Sequence, residues 1–577
     1  MKTKIFSASD KMEIKISPDA SEQEKYAASE LEYYLELMTS SLFKVVEESS
    51  THVIAIGKAC CEYGVLFSGE DDEFIIKTVD ENICIAGGKR GVIYGVYEFL
   101  EKLGCRFFTA SCEKVPFVKG IEIEKLDETH SPDFIYREHN YFEPVRYTKF
   151  AVKSRLNGKS HVISEKRGGH IDYSWFVHSF ENIISPQEYA ETHPEYFAMD
   201  QNGVRQTEPH KNQLCLSNPE LISIACEKIR ENLRENPNAQ IISISQNDWI
   251  LECHCPECRR INEEEGSPAG TLIRFVNAVA EKLESEFPNV TFDTLAYQYT
   301  RSAPKITRPR HNVCVRLCSI ECCFLHPFEK CNGDECKSFV NDIEDWHKTG
   351  AHLYIWDYTT CFNFYPTPHP NWRSLQENMK LFKKNGAVGV FEQANGASHG
   401  SSDLNELRAY IISKLLWDCN TDVKRHIEEF TDCYYGKAGK YIREYINTLC
   451  DIAEKEGEHV GFNDYPTHMF LNEEYLAEYE KIFDNAKEAV KASPLHLYRV
   501  ERAFLSIRYV RLFRKILIKK ECPQRELNEF FNDWQNFGFT RMEEWCSPQT
   551  THTALLRGLP MGSKLYSFWA EEGAEEL

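Results

Sequence analysis

With 577 residues the chain is too long for one hydrophobic core, and at roughly 100–200 residues per domain it implies about three or four units, fewer if one is a barrel. The composition is globular, 42% hydrophobic and 27% charged. A formal charge of −22 argues against nucleic acid or an anionic membrane as partner, since both need a basic footprint, and fits a neutral substrate.

The N-terminus, MKTKIFSASDKMEIKIS, has no apolar core of signal-peptide length. No run approaches the roughly 18 apolar residues of a membrane span, so a cytoplasmic location is expected. Residues 1–127 read as a small α/β domain. Residues 21–39 have helical spacing, with Ala27, Leu31, Tyr34 and Leu35 on one face and Ser21 as the cap. The run 52–57 is a short buried strand. Runs 73–79 and 82–87 form a strand pair turned at Asp80 and Glu81. Gly87, Gly88 and Gly91 lead into a helix over 92–103. That loop lacks phosphate-binding spacing and reads as a tight turn.

Residues 128–415 alternate strand and helix at barrel spacing. Strands are expected at 133–140, 154–158, 175–180, 241–249, 291–299, 312–319, 352–358 and 387–394. Helices are expected at 220–234, 271–287, 336–348 and 371–384. Residues 401–577 read as helical throughout, with 3.6-period apolar stripes at 404–417, 423–434, 438–455, 473–493, 494–519 and 524–534. The predicted class is therefore α/β: a (β/α)8 TIM-like catalytic barrel over 128–415, preceded by the accessory domain 1–127 and followed by an α-helical domain, 416–577.

Three barrel strands end in carboxylates: Asp248, Asp357 and Glu392. Glycoside hydrolysis needs one carboxyl kept protonated for the leaving oxygen. It also needs a second carboxylate, or the substrate's acetamido oxygen, at the oxocarbenium-like centre. Each strand end carries an aromatic neighbour (Trp249, Trp356 with Tyr358, and Phe391) that can stack on a sugar and desolvate the carboxyl. Glu392 ranks first of the three, because a glutamate straight after the apolar run 388–391 has little turn-forming reason to be there. Candidate sugar-binding residues are Arg137, His139, His170, His178, Asn247, Trp249, Tyr299, Trp356, Tyr358 and Gln393. The expected partner is an oligosaccharide, with no cofactor; oligomeric state stays open.

The chain has 22 cysteines. Cys253, Cys255 and Cys258 (CHCPEC) look like half of a zinc site. Cys314, Cys318, Cys322, Cys323, Cys331 and Cys336 form a second, irregular cluster. Neither has the paired frame of two CxxC units. Both are expected to be buried, reduced thiols without metal.

Residues 87–108 (GGKRGVIYGVYEFLEKLGCRFF) resemble the end of the accessory domain that precedes the barrel in bacterial α-glucuronidases and β-hexosaminidases. Over residues 130–420 the segments GGH (168–170), WFVH (175–178), HPEYF (193–197), QLCLSNP (213–219), SQND (245–248), CHCPEC, IECCFLHP (320–327), WDY and FEQ are similar to the domain-of-unknown-function family 4838, which includes glycoside hydrolase family 163. Some members are endo-acting β-N-acetylglucosaminidases acting on complex N-glycans. The resemblance implies a retaining hydrolase of a β-N-acetylglucosaminide link, with help from the 2-acetamido group. It puts Glu392 at the "FEQ" glutamate and Asp248 at the "ND" aspartate, and leaves open which is the acid. Where many relatives have a Gly-rich loop after "ND", this chain has Trp249 to Glu252, which leaves the substrate open. Two rivals remain: a uronic-acid hydrolase gripping its carboxylate with Arg137 or Arg316, and a non-catalytic carbohydrate-binding protein.

Overall fold

The computed structural model describes residues 2–7, 10–49, 51–521 and 523–544, with Thr550 and Leu555. The expected helical region beyond 544 otherwise lies outside the described residues. The chain forms two compact units: Met1–His170, Thr359–Gln376 and Gln393–Leu577 make the first, and Ile171–Tyr358 with Glu377–Glu392 the second.

In the first unit a six-stranded sheet runs Asp127–His130, Phe74–Val79, Asn82–Gly87, Val53–Ile56, Glu13–Lys15, Val45–Val46. Phe74–Val79 and Asn82–Gly87 are the antiparallel pair expected, with Asp80 at φ 52 in its turn. Helix Glu22–Thr39 opens on a full capping box, in which Ser21 Oγ accepts from Glu24 N and the Glu24 carboxylate accepts from Ser21 N. The glycine loop before helix Gly91–Lys102 is a tight turn. A Cβ on Gly88 would lie 2.3 Å from the Glu70 carbonyl oxygen, and one on Gly91 1.9 Å from that of Glu73.

The helices Asn405–Trp417, Val423–Tyr434, Gly439–Glu456, Glu473–Val490, Pro494–Phe513 and Gln524–Asn536 belong to the same unit. Asn405–Trp417 is buried on nearly every side. Its Trp417 stacks on Phe74 at 5.9 Å and meets Tyr94 edge-on at 5.6 Å, and Tyr410 packs on Phe108 at 5.3 Å. That helix is thus core for the N-terminal sheet region, between 302 and 343 residues earlier in the chain.

The second unit holds five strands of one sheet in the order Ile241–Ser243, Thr291–Ala296, Val313–Cys318, His352–Tyr358, Ala387–Gln393. The first four are paired in parallel, with Ile241 opposite Thr291, Phe292 opposite Val313, and Cys314 opposite His352. Helices Glu220–Glu235, Ala269–Leu283 and Asp334–Lys348 are the crossovers expected of β/α units. One face of the sheet, through Ile242, Ile244, Phe292 and Val313, packs on Leu221, Ala225, Ile229, Val276 and Val279 of two of these helices.

The sheet is a parallel half-barrel, and among the described residues not all of the eight expected strands are found. Residues 154–158 leave helix Thr148–Lys153 through Arg155 at φ 57, and the expected strand over 175–180 contains Val177 at φ 33 and His178 at φ 48. Left-handed residues cannot sit in an extended ladder. What survives of that strand is one bridge, Tyr173 beside Ile241. Among the described residues no helix is long and apolar enough to cross a membrane.

Candidate active site

The parallel strands of the second unit end together, and period-2 alternation decides which side chains face the helices. Leu317 is in register with Ile355, and Arg316 with Tyr354. Asp357, two residues beyond Ile355, therefore lies on the helix-facing side. Tyr354, Trp356 and Tyr358 lie on the opposite side. Phe391 meets Trp356 edge-on at 5.0 Å, so Glu392 faces the helices with Asp357.

That opposite side carries an aromatic wall. Phe176 lies 5.8 Å from Trp356 and 6.3 Å from Phe391, and Trp356 stacks over Tyr358 at 6.3 Å. Above it, past the end of Ile241–Ser243, stands Asp248. It is exposed, and its Oδ1 accepts a hydrogen bond from Tyr297 OH at 3.1 Å. Burial, then the Asp248 charge, push the Tyr297 phenol up, so it stays a donor.

The Asp248 loop is held from behind. Gln213 Nε2 donates to the carbonyls of Asn247 and Trp249 at 2.8 and 2.6 Å, and Gln213 Oε1 accepts from Asn247 N at 3.0 Å. Asn247 spends its own amide on Asn212. His178 Nδ1 meets the Gln246 carbonyl at 2.8 Å, which explains its left-handed backbone as a loop clamp. Trp249 and Tyr299 are half-buried nearby.

Asp357 and Glu392 form a buried carboxyl pair. Asp357 accepts from Ser319 Oγ; burial drives its pKa to about 6 although that hydrogen bond pulls the other way. Glu392 is 1% exposed, and among the described residues its Oε2 meets no hydrogen-bond partner. Burial, and then the nearby Asp357 charge, push its pKa well above the carboxylate range. Both carboxyls thus hold protons more tightly than a free carboxylate does.

Beneath the wall Arg316 is fully buried. It donates from Nε to Asp293 Oδ2 at 3.3 Å and from Nη2 to Tyr173 OH, while Tyr173 OH and Ser243 Oγ donate to the same aspartate at 3.1 and 2.8 Å. Its guanidinium lies over the rings of Tyr173, Phe176, Tyr354 and Trp356, all within 6.0 Å. Arg316 is a strut under the site.

In the first unit Arg137 is also fully buried, bonded to Asp72 and to the carbonyls of Phe134, Ile135 and Arg155. His139 is buried against Ser413 Oγ at 2.9 Å, and burial holds its pKa well below the usual value. His170 Nδ1 meets the Ile163 carbonyl at 3.2 Å. The Gln393 carbonyl accepts from Thr359 N and Oγ1.

The structure thus brings Asp248, Trp356 and Tyr358 to the side of the sheet opposite the helices. It adds Phe176 and Tyr297 there, and Ser319 beside Asp357, which sequence reasoning missed. Phe176 and Tyr297 carry no motif of their own; their position beside candidates is a matter of register. Sequence reasoning also missed Cys215, whose Sγ lies 3.6 Å from that of Cys255.

No curated protein matches the chain. Among solved structures, a family GH115 4-O-methyl-α-glucuronidase with specificity for decorated arabinogalactans is similar in fold, with TM-score 0.60 at 11% identity over 97% of this chain and 80% of that one. An N-acetyl-β-hexosaminidase of Streptomyces plicatus gives TM-score 0.43 at 12% identity, over 77% and 93% of the two chains. A family 89 glycoside hydrolase of Clostridium perfringens gives 0.46 at 10%, over 89% and 65%. Residues 107–447, more than half of the sequence, match one family along their length, and the chain belongs to it: Domain of unknown function (DUF4838).

Proposed function

We propose that this protein is a glycoside hydrolase that cleaves a β-N-acetylglucosaminide link in an oligosaccharide, N-glycan-derived or similar, with retention and with help from the 2-acetamido group. The observation that carries the reading is Asp248: an exposed carboxylate oriented by Tyr297 OH at the C-terminal end of a parallel strand, beside the wall of Phe176, Trp356 and Tyr358. Parallel-strand C-termini are where barrel enzymes hold their chemistry. The wall supplies apolar faces for a pyranose ring. In this reading Asp248 meets the reacting sugar and stabilises the acetamido group as it attacks the anomeric carbon. Burial raises the pKa of Glu392 well above the carboxylate range, as an acid requires, and that of Asp357 to about 6, but both side chains lie on the helix-facing side. The part of Glu392 in the reaction is what its variant decides. The uronidase rival is less well supported, because the guanidiniums of Arg137 and Arg316 are both engaged within the fold.

The test is hydrolysis of an N-glycan and milk-type oligosaccharide panel, with 4-O-methyl-glucuronosides added, read by mass spectrometry for wild type, Asp248→Asn and Glu392→Gln. The expected result is release of a GlcNAc-terminated fragment by wild type, reduced roughly 100-fold or more by Asp248→Asn. Loss in Glu392→Gln as well gives Glu392 the acid's role; survival there leaves the hydrolase standing on Asp248. Release of glucuronate alone, or tight glycan binding with no release, overturns the proposal.

A further inference from the structure

We propose that the second unit contains a structural zinc site made of Cys215, Cys253, Cys255 and Cys258. Their four Sγ atoms all lie within 4.8 Å of one another, and Cys215, Cys255 and Cys258 are buried. A tetrahedral zinc thiolate with Zn–S of about 2.3 Å has sulfur–sulfur edges of about 3.8 Å. Cys215 Sγ and Cys255 Sγ lie 3.6 Å apart. The geometry is that of one ion held by four sulfurs. An iron–sulfur cluster spreads its thiolates over several irons and needs them further apart.

Ordinary core cysteines pack on aliphatic and aromatic carbon. These pack on each other: the cluster is Cys215, Cys255 and Cys258, with Cys253 and Met199 against it. The sulfurs also collect donors. Met199 N donates to Cys253 Sγ at 3.4 Å, Cys258 N to Cys255 Sγ at 3.4 Å, and Arg205 Nη1 approaches Cys253 Sγ at 3.9 Å. Such donors suit thiolates, whose negative charge a bound zinc only partly cancels. Ser217 Oγ lies 3.1 Å from Cys258 Sγ and 3.6 Å from those of Cys215 and Cys255, a further polar group at the cluster's edge. The described cysteines form no disulfide.

The placement gives the site a purpose. Three ligands come from the loop and first turn that follow Asp248, since Cys255 caps helix Pro256–Glu265 and Cys258 lies in its first turn. The fourth comes from the segment whose Gln213 holds the Asn247 and Trp249 carbonyls. The ion closes this loop to that segment from the far side, so both flanks of Asp248 are fixed.

The experiment uses the full chain, purified without a metal-affinity step and dialysed against metal-free buffer. Mass-spectrometric metal analysis is expected to find about one zinc per chain, and a mercurial to release it as about four thiols react. Replacement by cobalt is expected to give the visible d–d bands of tetrahedral thiolate coordination. Cys215→Ser and Cys253→Ser are expected to lose most of the metal, whereas Cys226→Ser, a buried cysteine of helix Glu220–Glu235 outside the cluster, keeps it. Should the ligand variants not fold, the wild-type release and cobalt spectrum still decide. Chelation of wild type is expected to lower Tm. The proposal is overturned if reduced wild type neither contains zinc nor takes up added zinc or cobalt, if it contains iron with acid-labile sulfide, or if Cys215 and Cys255 are found as a disulfide.

Discussion

Glu392 is one carboxyl among 89 acidic residues, yet it has nowhere to put a negative charge. Its pKa in the fold is raised, so the folded state keeps a proton that the unfolded chain gives up near pH 4. Below that pH both states are protonated and the group is neutral in the balance. Above it, stability falls as pH rises, by at most about 1.4 kcal/mol per unit for one proton, until the folded pKa is reached. Glu392→Gln removes this dependence. Urea unfolding of the two proteins is expected to show the variant gaining on wild type between pH 5 and pH 8; parallel curves would mean the carboxyl is already solvated. Asp357, raised to about 6, contributes a slope of the same sign over the lower part of that range. The sequence singles out all three strand-end carboxylates. It does not say which way they face, because one residue of register exchanges the two faces of a strand. Asp248 lies beyond its strand, Ile241–Ser243, and escapes that constraint, whereas Asp357 and Glu392 are each the next-to-last residue of theirs.

Helix Pro256–Glu265 ends on a carboxylate that organises the next loop. Glu265 is fully buried and accepts from Thr307 N, Ile306 N and Thr307 Oγ1 while paired with Arg274 Nη2 at 2.6 Å. Burial alone would raise its pKa; these hydrogen bonds and the guanidinium outweigh it and hold the carboxyl at about 2. The stability it contributes is present above about pH 4.5 and lost as pH falls towards 2. Glu265→Gln is expected to cost about 2 to 3 kcal/mol at pH 7, with the gap closing at pH 3, read by urea unfolding at both. At the first helix, Ser21→Ala is expected to cost about 1 kcal/mol by loss of the cap. The capping box, the hairpin at Asp80 and the crossover helices were legible because each is written locally, in a cap, a turn or a 3.6-residue stripe. The failure of the barrel strand expected over 175–180 was not. WFVHSF opens on an apolar run, as a buried strand does, and the left-handed Val177 and His178 go with tertiary contacts such as that of His178 with the Gln246 carbonyl. Cys215 was equally invisible: 38 residues separate it from the CHCPEC run, and no spacing rule spans that gap.

Across the whole molecule the chain passes between its two units four times, at 170/171, 358/359, 376/377 and 392/393. Composition and periodicity announce the elements but not this threading, since an amphipathic helix does not state which sheet it will cover. Within the first unit Trp417 packs on Phe74, Tyr94 and the guanidiniums of Arg137 and Arg155, and Arg106 pairs with Glu429 at 2.6 Å. A chain cut after residue 415 loses these partners and bares the apolar faces of Phe74 and Tyr94. It is expected to be insoluble where the full chain is soluble, which fractionation after expression measures; a soluble, cooperatively melting fragment would refute this. The same pairing sets a schedule on the ribosome. Phe74 is synthesised 343 residues before Trp417. At about 5–20 residues per second the nascent sheet waits roughly 17 to 70 seconds, with its aromatic face uncovered, for the helix that seals it. A chaperone that shelters this one surface during that interval would raise the yield of folded protein without touching its final stability.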